Sequence, residues 1–409
     1  MSTPVVITGL GLVTSLGTEL GQFWGAILQA RSGIRPVQSF DTSAYDVHVG
    51  GEVVDFDASQ VESRLDLSEL GRATGFAIAA ARSAVRDAGF DAAELAGERT
   101  GVSMGTTSGE PREVERFNDL LLAGDADTIG AELATRYPCH SIATGIAADL
   151  EIEGPNLMIP TACAAGNYAV AEALERLRRG EADVMLAGGA DAFSRITYTG
   201  FARLGAIAPE RCQPFDLNRQ GMIPGEGAAV LVLETAEYAR RRRARIYAEV
   251  LGYGLSCDAH HMTGGHPDGD GAARAMRAAL QSARIAAEDV DYVCAHGTGT
   301  PSNDRIESLA LRSVFGDRLS RLPVSSIKSM LGHTMGAASA IESVTCALAI
   351  RDGIAPPTAN FETADPDCPI DCVPNAAREL PIRVAMNNAA AFGGNNASVL
   401  FGGFGARGR

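Results

Sequence analysis

The residues able to do chemistry in this chain fall in three strings. Cys163 lies in GPNLMIPTACAAGNYAV, His296 in AHGTGTPSND and His333 in SSIKSMLGHTMGAASA. Cysteine offers a thiol nucleophile. Two histidines set among glycine, alanine and threonine can each aim an N–H at one carbonyl oxygen, which is what a developing enolate requires. Together they describe a site for making or breaking thioester bonds. Lys328 is the chain's one lysine and falls just before His333, in a sequence that elsewhere uses arginine. A compact ammonium on a flexible stem is the cation a planar guanidinium cannot imitate, so its retention beside the histidine points to the site.

Each assignment has a plainer alternative. A free cysteine is usually an inert buried one. Cys163, however, stands where the extended NLMIPTA turns into a helix rich in small residues, and backbone N–H groups at a helix start favour a thiolate. Ala162, Ala164, Ala165 and Gly166 leave room for a substrate beside the sulfur. The histidines could instead be structural or bind metal, but no carboxylate or cysteine is spaced as a third zinc ligand. Cys368 and Cys372 lack a matching second pair, so no metal is expected.

These groups need an α/β framework. PVVITGLGLVTSLG predicts an opening strand, Leu67 to Ala88 a helix, and Gly101 to Glu110 a strand running into a loop. Two stretches resemble one another: Cys163 to Gly180 and Gly336 to Gly353 share a small-residue opening, an apolar interior and a charged end closed by glycine. That predicts a duplicated fold with one central helix from each half. The boundary is placed near the Arg240–Arg243 cluster, giving residues 1–245 with the cysteine and 246–409 with both histidines. The cluster itself is expected to be a solvated helix end.

Composition removes other classes. A net charge of −15 argues against nucleic acid. No basic n-region leads into an apolar stretch, and no apolar run could span a bilayer, so a cytoplasmic protein is expected. Eight scattered cysteines fit reduced thiols better than a disulfide framework.

Across nearly its whole length the chain resembles the β-ketoacyl-acyl carrier protein synthases, the condensing enzymes of fatty acid and polyketide assembly. The cysteine string, PFDLNRQGMIPGEGAAVLVLE, HGTGTPSND, KSMLGHTMGA and FGGNN carry the resemblance in that order. It implies the thiolase fold, a duplicated five-layered αβαβα architecture. It implies that Cys163 takes an acyl chain from acyl carrier protein, and that His296 and His333, both neutral, hold the enolate left by decarboxylation of a malonyl unit. The backbone N–H groups of Cys163 and Phe392 would form the acyl oxyanion hole. Lys328 would pair with Glu342 beneath the site. Thr298 and Thr300 would contact the pantetheine arm, while Asp304 and Glu307 support the network. Phe201 would wall the acyl pocket, and Asp258 with His260 to Thr263 would form a mobile loop over the site. Arg72, Arg203 and Arg211 are candidate docking residues for the acidic carrier protein. No cofactor is implied beyond the phosphopantetheine arm of the carrier, and a dimer is implied.

One string departs from the family. Where elongation enzymes read N-S-F-G-F-G-G-T-N, this chain has Asn388, Ala389, Ala390, Ala391, Phe392, Gly393, Gly394, Asn395, Asn396. Lost bulk there changes the volume and hinge freedom of a gate loop, with Asn395 and Asn396 part of it. The resemblance then leans to polyketide or polyene synthases, with bulk fatty acid elongation as the alternative. The partner would be an identical chain or a paralogue acting as a chain-length factor. A non-catalytic partner subunit of that kind is a further alternative for this chain, and the intact cysteine and histidines argue against it. A thiolase would need a second catalytic cysteine in a glycine-rich loop. An initiating synthase would carry asparagine where His333 stands.

Overall fold

The computed structural model describes residues 3–97, 99–125 and 130–405. Its ten-stranded mixed sheet comprises β1 (Val5–Thr14), β2 (Thr100–Gly105), β3 (Asn156–Ile159), β4 (Val184–Asp191), β5 (Gly227–Thr235), β6 (Ala248–Cys257), β7 (Tyr292–Cys294), β8 (Val324–Ser325), β9 (Val384–Ala390) and β10 (Asn395–Gly402). The spatial order is β8-β7-β9-β10-β6-β1-β5-β4-β2-β3. Two halves meet at a short antiparallel seam, where Val6 faces Glu249 and Ile7 faces Ala248. Outward from that seam each half repeats one pairing sequence: antiparallel, antiparallel, parallel, parallel. The duplication expected from the two similar helices is therefore built into the strand pairing.

Strands such as VVITGLGLVT in β1 are buried on both faces, so they read as continuous apolar runs. The outer face of the first half is covered by α1 (Arg72–Ala88) and α2 (Ser141–Leu150), and that of the second by α4 (Asp270–Ala283) and α5 (Pro301–Phe315). Between the halves run α3 (Ala165–Arg178) and α6 (Ala338–Asp352). Alternate residues of one strand divide accordingly. Val184 and Leu186 of β4 pack outward under α1 and α2, while Met185 and Ala187 pack inward against the central helices. Five layers result.

Close approach explains two glycines inside β1. A Cβ on Gly9 or Gly11 would lie 2.2 or 2.0 Å from carbonyl oxygens of α1, at Ala84 and Ala80. The central helices touch as tightly: a Cβ on Gly166 would sit 2.5 Å from the backbone nitrogen of Ala340. Residues Ala338 to Ala349 of α6 are all buried, as a helix without a solvent face must be. Two of its serines join a polar network across the midline. Asn387 Nδ2 donates to Asn167 Oδ1 at 3.0 Å and to Ser343 Oγ at 3.0 Å, and Ser339 Oγ accepts from the Asn167 amide at 3.1 Å.

Local boundaries differ from the sequence expectation in two places. The helix expected from Leu67 is a separate 3-10 turn, Leu67–Glu69, capped by Asp66. The α-helix starts only after Gly71, whose amide neighbours Ala73 and Thr74 donate to the buried Glu110 carboxylate. The strand expected over Gly101–Glu110 ends at Gly105, because Thr106–Ser108 turn to bond Asp191. The Arg240–Arg243 cluster closes a short helix, Ala236–Arg241. Arg242 pairs with buried Glu234 and lies 3.8 Å over the Phe90 ring.

Candidate active site

Both catalytic-looking turns are made the same way. Residues Ala162–Ala164 form a 3-10 turn leading into α3, and Met335–Ala337 form one leading into α6. Each begins at a non-glycine residue in the left-handed region, Ala162 at φ 51° and Met335 at φ 53°. Such backbone costs of order 1–3 kcal/mol and persists only where surrounding contacts enforce it. The first turn lifts Cys163 at the mouth of α3, with its carbonyl accepting from Ser339 Oγ at 3.3 Å. The second follows His333 directly.

His296 enters from the end of β7. Its amide and that of Gly297 donate to the two oxygens of Glu307, at 2.8 and 2.7 Å. Gly297 (φ 36°) and Gly299 (φ 78°) allow the loop to turn back. Burial pushes the Glu307 carboxyl up to about 7, against the pull of those amide bonds. His333 follows the short helix Lys328–Leu331. The Met335 amide donates to its Nδ1 at 3.2 Å, which leaves the proton on Nε2 as a free donor. The two imidazole rings lie 5.5 Å apart at 83°. Burial, and then the Lys328 charge, hold both well below the ordinary histidine value. They are neutral donors.

Lys328 and Glu342 lie beneath them, 2% and 1% exposed, and ion-paired. Lys328 Nζ also donates to the His296 carbonyl at 2.6 Å. Burial pulls the ammonium down, but Glu342 outweighs it and the net shift is upward. The cation is thus charged and anchored to the strand end that carries His296. Cys163 gives a different result from the thiolate expected at a helix start. Burial pushes its thiol up to about 12, outweighing the Lys328 charge, so the resting nucleophile is the protonated thiol.

Cys163, His296 and His333 line one cavity of about 140 Å3. Phe201, Thr298, Thr300, Glu307, Phe392 and Asn396 line it too. The Phe201 and Phe392 rings lie 5.7 Å apart. Thr298 and Thr300 share a hydroxyl contact of 2.9 Å, and Thr300 caps α5. Asp304 does not reach the cavity; it accepts from the Phe215 and Gly299 amides at 2.8 and 3.2 Å. Asn395 is also absent from the lining, because neighbours along β10 face opposite sides and Asn396 takes the inward position. The loop expected over the site is laced to the gate string. Met262 O accepts from the Gly393 amide at 2.7 Å, and Asp258 Oδ1 accepts from Asn396 Nδ2 at 2.9 Å.

Arg72 is not a free docking residue. It chelates the buried Glu226 carboxylate at 2.9 and 2.7 Å, and its guanidinium lies 4.5 Å over Phe76. Arg211 is at the surface, ion-paired with Glu362 at 2.7 Å. Arg203 is exposed at the end of helix Arg195–Arg203, which carries Phe201. The residue that sequence reasoning missed is Asp191, a buried acid at the end of β4. Its only signal was an aspartate closing the strand ADVMLAGGADA. Among the described residues no group of three or more metal-ligating side chains could hold an ion, and no helix is long and apolar enough to cross a membrane.

Residues 2–239 match the family model for the beta-ketoacyl synthase N-terminal domain, and residues 247–362 that for its C-terminal domain. The 3-oxoacyl-[acyl-carrier-protein] synthase 2 of Coxiella burnetii is 39% identical over 406 residues, covering 97% of each chain. The solved ishigamide ketosynthase/chain length factor has a TM-score of 0.96 at 44% identity, over 99% of this chain and 100% of its own. A type II polyketide synthase acyl-carrier protein in complex with its ketosynthase bound to the hexaketide gives 0.91 at 33% identity, over 98% and 100%.

Proposed function

The chain belongs to the beta-ketoacyl synthase family, and from that premise we propose that it condenses carrier-bound acyl and malonyl units in type II polyketide or polyene assembly. The observation that carries the chemistry is one cavity holding a thiol at a helix start beside two neutral imidazoles. In the loading step the Cys163 sulfur bonds the acyl carbon, the thioester bond between that carbon and the pantetheine sulfur breaks, and the cysteine proton ends on the released pantetheine thiol. In the second step the malonyl carboxylate leaves as carbon dioxide. Its electron pair becomes an enolate, whose oxygen takes N–H bonds from His296 and His333. The enolate carbon then attacks the acyl thioester, and Cys163 leaves and recovers a proton from solvent. Lys328 and Glu342 take no bond to substrate; Glu342 pairs with Lys328, and Lys328 holds the His296 strand end and adds its charge to the burial that keeps the imidazoles neutral.

Several observations support the finer assignment. The gate string Ala389–Ala391 is slimmer than that of elongation enzymes, and the likeness to the ishigamide ketosynthase/chain length factor is high in both fold and identity. Likeness to the Coxiella burnetii synthase keeps fatty acid elongation as the second reading. We take acyl carrier protein as the donor, with Arg203 and Arg211 as its candidate contacts, and the cytoplasm as the compartment. No cofactor beyond the carrier's phosphopantetheine is needed for these steps. The free edge of β3, half-buried at the end of the sheet, supports pairing with a second subunit, identical or a chain-length factor.

The test is intact mass of the protein and of Cys163→Ala after mixing with carriers bearing different acyl chains. A mass gain on the unaltered protein alone is expected, and the preferred chain separates polyketide from fatty acid synthesis. Acylation of Cys163→Ala would overturn the nucleophile.

A further inference from the structure

Asp191 is a fully buried acid that the condensation steps do not use. Its carboxylate collects four donors from two separate segments. The Thr106 hydroxyl donates at 3.0 Å, the Thr107 and Ser108 amides at 2.8 and 2.9 Å, and the Gly336 amide at 2.7 Å. The first three belong to the loop that leaves β2; the fourth belongs to the turn after His333. That turn is the strained one, with Met335 left-handed and its amide bonded to His333 Nδ1. Packing there has no slack, since a Cβ on Gly336 would lie 2.6 Å from the Asp191 carboxylate.

We propose that Asp191 is a positioning residue for the condensation: it fixes the turn after His333 and so sets the donating tautomer of that histidine. The proposal rests on the reading of His333 as an enolate donor. A carboxylate accepting from the Gly336 amide holds Met335 in its left-handed conformation, so the Met335 amide can occupy His333 Nδ1 and leave Nε2–H for the enolate. Asp191 acts through the turn and touches neither substrate nor nucleophile.

The experiment compares malonyl decarboxylation with acyl loading of Cys163 in the unaltered protein, in Asp191→Asn and in Thr106→Val. In Asp191→Asn one carboxylate oxygen becomes an NH2 group facing N–H or O–H donors, so the turn loses its anchor; of the four donors, Thr106→Val removes only the hydroxyl. Asp191→Asn should lower decarboxylation by about tenfold or more while loading stays within about threefold, since the turn serves the enolate donor and not the nucleophile. Thr106→Val should show a smaller loss in the same assay, and carries the test if Asp191→Asn does not fold. Equal losses in the two assays, or unchanged decarboxylation in a folded Asp191→Asn, would overturn the proposal. Failure of any carrier to load Cys163 of the unaltered protein would instead count against the proposed function.

Discussion

At the scale of residues the site works by keeping imidazoles neutral and a lysine charged within one buried cluster. Replacing His333 with alanine should leave acyl loading within a few-fold while condensation falls by about 100- to 1,000-fold, the usual cost of one lost oxyanion donor. Equal losses in single-turnover loading and condensation assays would remove its enolate role. Because burial and Lys328 hold both histidines well below their ordinary value, their imidazole proton resonances should show no protonation shift from about pH 8 to about pH 6, through the usual histidine midpoint near 6.5. A full shift centred there would mean that an imidazole titrates as if exposed. Lys328→Arg should be inactive, since one nitrogen must reach both Glu342 and the His296 carbonyl in a space closed on all sides. Full activity would leave the lysine as an accident of composition. Sequence pattern was enough to single out Cys163, His296, His333 and Lys328, because each sits in an unusual string. It could not show the protonation state of Cys163, which depends on burial by distant segments. Nor could it show that Arg72 serves Glu226, a partner far away in the chain.

At the scale of elements the decisive feature is the contact of α3 with α6. Gly166→Ala should destabilise the protein by about 1–3 kcal/mol through overpacking, because the new methyl meets the backbone of Ala340. Denaturant midpoints would check this, and an unchanged midpoint would mean the central helices can part freely. Their similarity was legible as two strings with matching ends. The 3-10 turns that begin them were not, since a left-handed alanine or methionine carries no sequence signal. Likewise the break at Gly71 hid inside a helical apolar pattern. What separates the two segments is the distant Glu110 carboxylate, to which the first amides of α1 are bonded.

The whole molecule repeats one five-strand arrangement on each side of the β1–β6 seam, and that repeat delivers two equivalent helix starts to the midline. One bears Cys163, the other follows His333. Duplication was visible in the sequence; the pairing order was not, because strands buried on both faces lack the alternation that would mark inner and outer sides. The same burial has a consequence for how the folded chain can be addressed chemically. Lys328 is the chain's one lysine and is 2% exposed, so acylating reagents have no side-chain amine to reach. A succinimidyl ester applied to the native protein should add a single label, at the terminal amine, and a second should appear only as the core opens. Mass spectrometry would then count global unfolding events by the second label, and native labelling of Lys328 would reveal a core that breathes beneath the two histidines.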